Sequence, residues 1–164
     1  MVARNVSQMA KWGDLARTWP DLPNAGKALL YQFGVGLAFL ATVPRDGGPR
    51  THPVCPLITE EGIFAFIIPS PNNPICSDGR YALHSFPCPD NEDVFYVTGT
   101  AGIITDPGIR TRVGEQFAAE RASLNAQVPP DKDVLVEFDI SRCLLTRTIG
   151  HGDPRPHHDV MRED

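Results

Sequence analysis

The stretch FGVGLAFLATV, residues 33–43, constrains this chain more than any other. Leu37, Phe39, Ala41 and Val43 alternate with Ala38, Leu40 and Thr42, so a strand here presents apolar side chains on both faces. Such a strand is buried on two sides. The run is only about half as long as a membrane-spanning helix requires. Asp46-Gly47-Gly48 then marks a tight turn, and Arg50-Thr51-His52 brings charge and imidazole into the return strand. The apolar strand is scaffold, and the return strand carries the candidate chemistry.

At 164 residues the chain fits one domain, and a chain of this length buries roughly 70% of the surface its unfolded form exposes. A core of that size needs no staples. Fifteen Lys and Arg stand against twenty Asp and Glu, a net charge of −5 with no basic run, which argues against nucleic acid as a partner. Cys55, Cys76, Cys88 and Cys143 form no C-x-x-C pair and no regular framework. Residues 1–21 are polar and amphipathic, unlike a signal peptide, so free thiols in a reducing cytoplasm are expected, with no membrane association.

Met9, Trp12, Leu15, Ala16 and Trp19 recur at helical spacing behind Ser7, a capping residue, and Pro20 stops the pattern. Aromatic residues so spaced pack against the domain rather than stack on a ligand. A second helix is expected over 24–33, with Gly34 in a left-handed terminal position. Strands are expected over 35–43, 50–58, 63–68, 80–86, 94–105, 134–140 and 143–149, the first three as an antiparallel meander. Pro49, Pro53 and Pro56 make the second an edge or bulged strand, and Gly99 and Gly102 allow the long fifth strand to bend.

Asp106-Pro107 starts a third helix, with Ile109, Val113, Phe117 and Leu124 on one face and Arg110, Arg112, Glu115, Glu120 and Arg121 on the other. Pro129-Pro130 separates it from the last strands. Residues 151–164 read as a polar tail, mobile or laid across a partner subunit. The fold class is therefore mainly β, an antiparallel barrel of six to seven strands with helices at its margins. Residues 1–150 make a single domain, 1–34 its N-terminal helices and 35–149 its barrel.

Arg50 and His52 lie two positions apart, on one face of their strand, and an Arg fork beside an imidazole suits a phosphate or a polarised carbonyl. Ser70, Asn72 and Asn73 follow the strand end at Ile68, where hydroxyls, amides and backbone N–H groups hold phosphate oxygens. Arg80 and His84 share a face of the next strand. Gly34-Val35-Gly36 precedes a strand instead of following one, which rules out a dinucleotide-binding turn. His151, His157 and His158 belong to the solvated tail, and no metal site is assigned. No Ser-His-Asp order exists for nucleophilic catalysis, and no catalytic residue is named.

GLAFLATVPRDGGPRTHPV (36–54), followed by IFAFIIPS, SDGRYALHS and FYVTGTA, resembles the pyridoxamine 5'-phosphate oxidase-like, FMN-binding split-barrel family, in its small stand-alone form. The resemblance covers about residues 28–106, and the last two strands by pattern only. It implies a split barrel, a homodimer, and FMN in the cleft between two subunits. It implies that Arg50, Thr51, His52 and Pro53 line the flavin, and that Ile68, Ser70 and the loop with Asn72 bind its phosphate end. The lysine that the family places in this loop is missing here. Asn72 is a neutral substitute, and Arg50 or Arg80 would have to supply the charge.

The resemblance thus implies a flavin-dependent oxidoreductase-like protein that passes electrons or hydride to a small molecule. A deazaflavin-dependent reductase of the same superfamily is the enzyme alternative. A non-catalytic, stress-related dimer with a degenerate site and no cofactor is the alternative of another class. A haem-binding relative would draw on His52 or His84.

Overall fold

The computed structural model describes residues 9–69, 75 and 78–162. Among these, eight strands form one antiparallel sheet: β1 (Ala38–Thr42), β2 (Arg50–Val54), β3 (Leu57–Ile58), β4 (Ile63–Ile67), β5 (Arg80–Ser85), β6 (Val94–Ile103), β7 (Val134–Arg147) and β8 (His157–Arg162). Three α-helices flank it, α1 (Trp12–Thr18), α2 (Asp21–Leu30) and α3 (Pro107–Glu120). The hydrogen-bonded order is β2-β1-β5-β6-β7-β4-β3, with β8 also paired to β7.

The two ends of that path are neighbours in sequence. β2 ends at Val54 and β3 starts at Leu57, so the chain can hold these edges no more than about 10 Å apart at that point. The sheet is therefore curled until its edges approach each other, a half-barrel split at Cys55-Pro56. This is the mainly β split barrel expected from the sequence, with eight strands where six or seven were anticipated.

Pairing across the sheet separates two rows of side chains. Reading from β2 to β8, His52, Leu40, Leu83, Val97, Cys143 and Met161 stand opposite one another, and all but the edge residue His52 are buried. The next row, Pro53, Phe39, His84, Tyr96, Leu144 and Val160, is partly or fully exposed throughout. The first row faces the barrel core, which α1 and α2 close. Trp12 meets Phe95 edge-on at 6.0 Å, and Gly26 lets the α2 backbone lie directly on the Phe95 ring. On the far side of β4 and β7, α3 covers a smaller core of Leu57, Phe64, Val113 and Leu135. Asp106 caps this helix by accepting the Ile109 N–H at 2.9 Å.

Several expectations are corrected. The strand expected over 50–58 is two strands, so the meander is divided: β2 pairs with β1, only the two residues of β3 pair with β4, and the other edge of β4 pairs with β7. Pro56 has no N–H to continue the ladder, and the chain breaks there. The two last strands are one 14-residue strand, β7, whose register shifts opposite Thr98 and Gly99 so that Ser141 is the extra residue. At that bulge a Cβ on Gly99 would lie 1.8 Å from the Asp139 carbonyl oxygen, so only glycine fits. Gly102, expected to act alike, has open space around its Cα.

The far edge of β7 is filled in pieces: β4 along Val134–Glu137, Ala10 at Ile140, and β8 along Arg142–Arg147. The polar tail expected over 151–164 is therefore not a tail through 162. Met161 is buried, Arg147 Nη1 meets Asp159 at 2.5 Å, and Thr146 Oγ1 lies 2.9 Å from His158 Nδ1, which fixes the register of β8.

α2 begins at Asp21, earlier than expected, while Gly34 has the anticipated left-handed φ of 82°. The cap expected at Ser7 lies outside the described residues. Trp12 is buried but Trp19 is 52% exposed, so only the first packs as anticipated. Leu124, placed with the apolar face, is exposed. Arg121, placed on the solvent face, is buried: it stacks on Phe117 at 4.3 Å and Nη2 donates to the Gly36 carbonyl at 3.3 Å.

Candidate functional site

The site follows from the way the barrel fails to close. β3 spans two residues and covers only Ile63 and Phe64 of β4. Beyond it, the edge of β4 from Ala65 onward has no strand beside it among the described residues, and β2 turns away at Cys55-Pro56. Between the free edge of β2 and the end of β4 lies an open groove of about 720 Å³. Its walls are mostly apolar, with Val54, Phe66, Ile68, Phe117, Val128 and Pro129 prominent, and its polar groups include His52 and Asp133. This combination is what a planar aromatic ligand requires.

The structure brings some of the expected residues together there. His52, Pro53 and Ile68 line the groove, and Ile68 is 76% exposed. Arg50 lies two positions before His52 and, by its pairing with Thr42, on the same face. Its only ion pair among the described residues is with Asp46, at 3.6 Å, and both side chains are more than half exposed. Thr51 is also exposed, on the alternate face of β2, paired with Ala41. Ser70 and Asn72, the expected phosphate ligands, lie outside the described residues.

Arg80 and His84 stand elsewhere. Both belong to the outer row of β5, two strands from β2, on the face opposite to Arg50 and His52. The Arg80 fork is already occupied: Nε meets Asp78 Oδ1 at 2.5 Å and Nη2 meets Oδ2 at 2.7 Å. That pair holds the Asp78 carboxyl below its usual range through the Arg80 hydrogen bonds. His84 Nδ1 is 2.7 Å from the Ser85 carbonyl, and its ring meets Tyr96 edge-on at 6.3 Å. Arg50 and His52 could address a ligand in the groove from the chain itself, whereas Arg80 and His84 address the outer surface.

Sequence reasoning missed the opposite wall, residues 126–130 with Asp133. Arg110 holds that wall in place from α3. Its Nη1 donates to the Asp133 carbonyl and its Nη2 to the Pro130 carbonyl, both at 2.8 Å, while the guanidinium stacks on Phe66 at 5.2 Å. Asp133 Oδ1 is buried and accepts no hydrogen bond among the described residues. The only signal for this wall was Pro129-Pro130, which reads locally as a connection. Cys55 also lines the groove and is a free thiol.

A brace of polar groups fixes the split. Tyr31 follows α2, and its hydroxyl accepts the Ile58 N–H at 3.0 Å and donates to Glu120 at 3.2 Å. Gln116 Nε2 donates to the Ile58 carbonyl at 3.0 Å and to Glu120 at 2.7 Å. Burial is the main cause that pushes the Tyr31 hydroxyl up to about 12. These bonds satisfy backbone groups of β3 that a longer strand would have paired.

No family model matches the sequence, and no curated protein matches it. Solved structures do. A haem-binding protein from Mycobacterium smegmatis is similar with a TM-score of 0.63 at 12% identity, over 85% of this chain and 57% of that one. HupZ of Group A Streptococcus is similar with a TM-score of 0.58 at 20% identity, over 79% and 95%. A Clostridium acetobutylicum protein of the pyridoxinephosphate oxidase family, related to general stress protein 26 of B. subtilis, gives 0.57 at 11% identity, over 92% and 95%. At these identities the likeness carries the fold and not the chemistry. The chain has the split-barrel fold of the pyridoxamine 5'-phosphate oxidase-like proteins, a fold it shares with a haem-binding protein.

Proposed function

We propose that this chain is an FMN-binding, oxidoreductase-like protein that works as a homodimer in the cytoplasm. The observation that carries the reading is the groove at the split. It has the volume and apolar walls for an isoalloxazine ring, with His52 on one side and residues 126–130 with Asp133 on the other.

In this reading Phe66, Val128 and Pro129 flank the ring and exclude water. Arg50 provides the positive charge that the loop after Ile68 lacks. Its exposed contact with Asp46 is worth little and is readily exchanged for a phosphate. Bound FMN would supply the electron or hydride transfer; the protein binds and orients it. The partly exposed outer row with Phe39, Tyr96 and Leu144 is the surface a second copy would cover.

A second reading is haem binding. It draws on the likeness to the Mycobacterium smegmatis haem-binding protein and on His52, whose ring has no hydrogen-bond partner among the described residues and lines the groove. The test is the visible absorption spectrum of the purified protein, mass spectrometry of any released ligand, and titration of the apoprotein with FMN, a deazaflavin and haem. Saturable FMN binding with a raised melting temperature is expected. A haem spectrum, or a response to deazaflavin alone, replaces FMN; no response to any of the three favours the non-catalytic dimer.

A further inference from the structure

A second cavity, of about 770 Å³, lies where the α1–α2 junction faces β8 and the end of β7. It shares no lining residue with the groove at the split. One side is Trp19, a large aromatic left half exposed at a position where packing was expected. The other side carries Arg147, His157, His158 and Arg162. In a chain with a net charge of −5, this gathers cations and imidazoles around one aromatic ring.

The acids present are Asp159 and Asp21. Asp159 is already shared by Arg147, at 2.5 Å, and by His157 Nε2, at 3.1 Å. Arg162 has no acidic partner among the described residues, and the Asp21 carboxylate makes no ion pair among them. His158 is held through Nδ1 by Thr146 Oγ1 at 2.9 Å, which leaves Nε2 for a ligand. Among the described residues no three His, Cys, Asp or Glu side chains converge as a metal site, so the cluster does not read as a cation centre.

We propose that this cavity is a binding site for a planar aromatic anion of the nucleotide type. The aromatic ring stacks on Trp19, and the phosphate oxygens take hydrogen bonds from Arg162, which has no acidic partner among the described residues, and from His158. A guanidinium fork suits phosphate oxygens, and an indole face accepts any planar base. The site exists because β8 folds back onto β7, which sets His158 opposite Thr146 and Arg162 opposite Arg142, on one face of β8, beside the α1–α2 junction.

The probe is ADP, titrated into the full chain by calorimetry, with adenosine and inorganic phosphate as separate arms. Saturable ADP binding is expected, with each half of the molecule binding at least roughly tenfold more weakly. Trp19→Ala and Arg162→Gln each weaken ADP binding about tenfold; both side chains are at the surface, and unchanged circular dichroism and melting temperature exclude unfolding. In Trp19→Phe, with Trp12 as the remaining indole, ADP no longer quenches fluorescence. Absence of saturable ADP binding at millimolar concentration overturns the proposal, as does ADP binding unaffected by either variant. FMN binding is expected to survive Trp19→Ala; if that variant abolishes it while Arg50→Ala does not, FMN itself occupies this cavity and the proposal of a separate site fails. Failure of FMN to bind anywhere leaves the ADP result to be judged by itself.

Discussion

The Tyr31 hydroxyl donates to the Glu120 carboxylate at 3.2 Å across 89 residues of sequence, joining the end of α2 to the end of α3 above the point where the barrel splits. The same oxygen accepts the Ile58 N–H. One phenol therefore satisfies the short strand β3 and anchors the helix that backs the groove.

Tyr31→Phe removes both bonds and leaves the Ile58 N–H and part of Glu120 without a partner. A loss of about 1–3 kcal/mol is expected, the usual cost of stranding buried polar groups. Urea denaturation checks it: the midpoint should fall with the slope unchanged. If stability is unaffected, the brace does not hold the split.

The same burial makes the fold sensitive to alkali. The Tyr31 hydroxyl, ordinarily at 10.0, and the Cys143 thiol, ordinarily at 9.0, are both pushed up to about 12, chiefly by desolvation. Each is an acid whose neutral form is favoured in the folded state, so the unfolded chain gives up its protons first. Stability is full below the ordinary values and falls as pH rises from about 9 towards 12, by on the order of 2–4 kcal/mol for the two groups after allowing for the partial exposure of Tyr31. Unfolding free energies across that range should show this decline, and Tyr31→Phe should make it shallower, leaving the Cys143 share. A curve that stays level contradicts the burial.

Two glycines of β6 should respond oppositely to the same change. Gly99→Ala drives a methyl into the Asp139 carbonyl at the β7 bulge and is expected to cost roughly 2–3 kcal/mol or more, whereas Gly102→Ala meets open space and should be within about 0.5 kcal/mol of neutral. Thermal melts of the two variants decide it, and equal effects would mean that the bulge yields.

That contrast shows what the sequence makes legible. Both glycines are visible as bend points, but only pairing to a distant strand separates them. Local patterns placed β1, β4, the Asp106 cap and the left-handed Gly34 correctly, because each depends on neighbours in the chain. β4 also pairs with the distant β7, beside its short pairing with β3, which no local period reports. Likewise Arg147 with Asp159, and Thr146 with His158, turn an aperiodic segment into β8. In the candidate site, the β2 residues were legible from charge re-entering after a turn. Asp133 and Arg110 were not, since they reach the groove only through the packing of α3.

Arg50 carries the last prediction. Its side chain lies on the His52 face of β2, two positions before a groove-lining residue, and among the described residues pairs only with the exposed Asp46, whereas Arg80 lies on the opposite face with both arms of its fork on Asp78. If FMN sits at the split, Arg50→Ala removes the cation available to its phosphate from β2 and should weaken FMN binding by about tenfold or more, since a charge-assisted contact is roughly twice as strong as a neutral one. Arg80→Ala should change FMN affinity little. Flavin fluorescence titration gives the affinities, and light scattering gives the oligomeric state, which is expected to be the same in both variants as in the unaltered chain, because neither residue belongs to the outer row of Phe39, Tyr96 and Leu144 proposed to meet a second copy. The reverse ranking, Arg80 essential and Arg50 dispensable, would move the phosphate to the outer face and remove the groove from the mechanism.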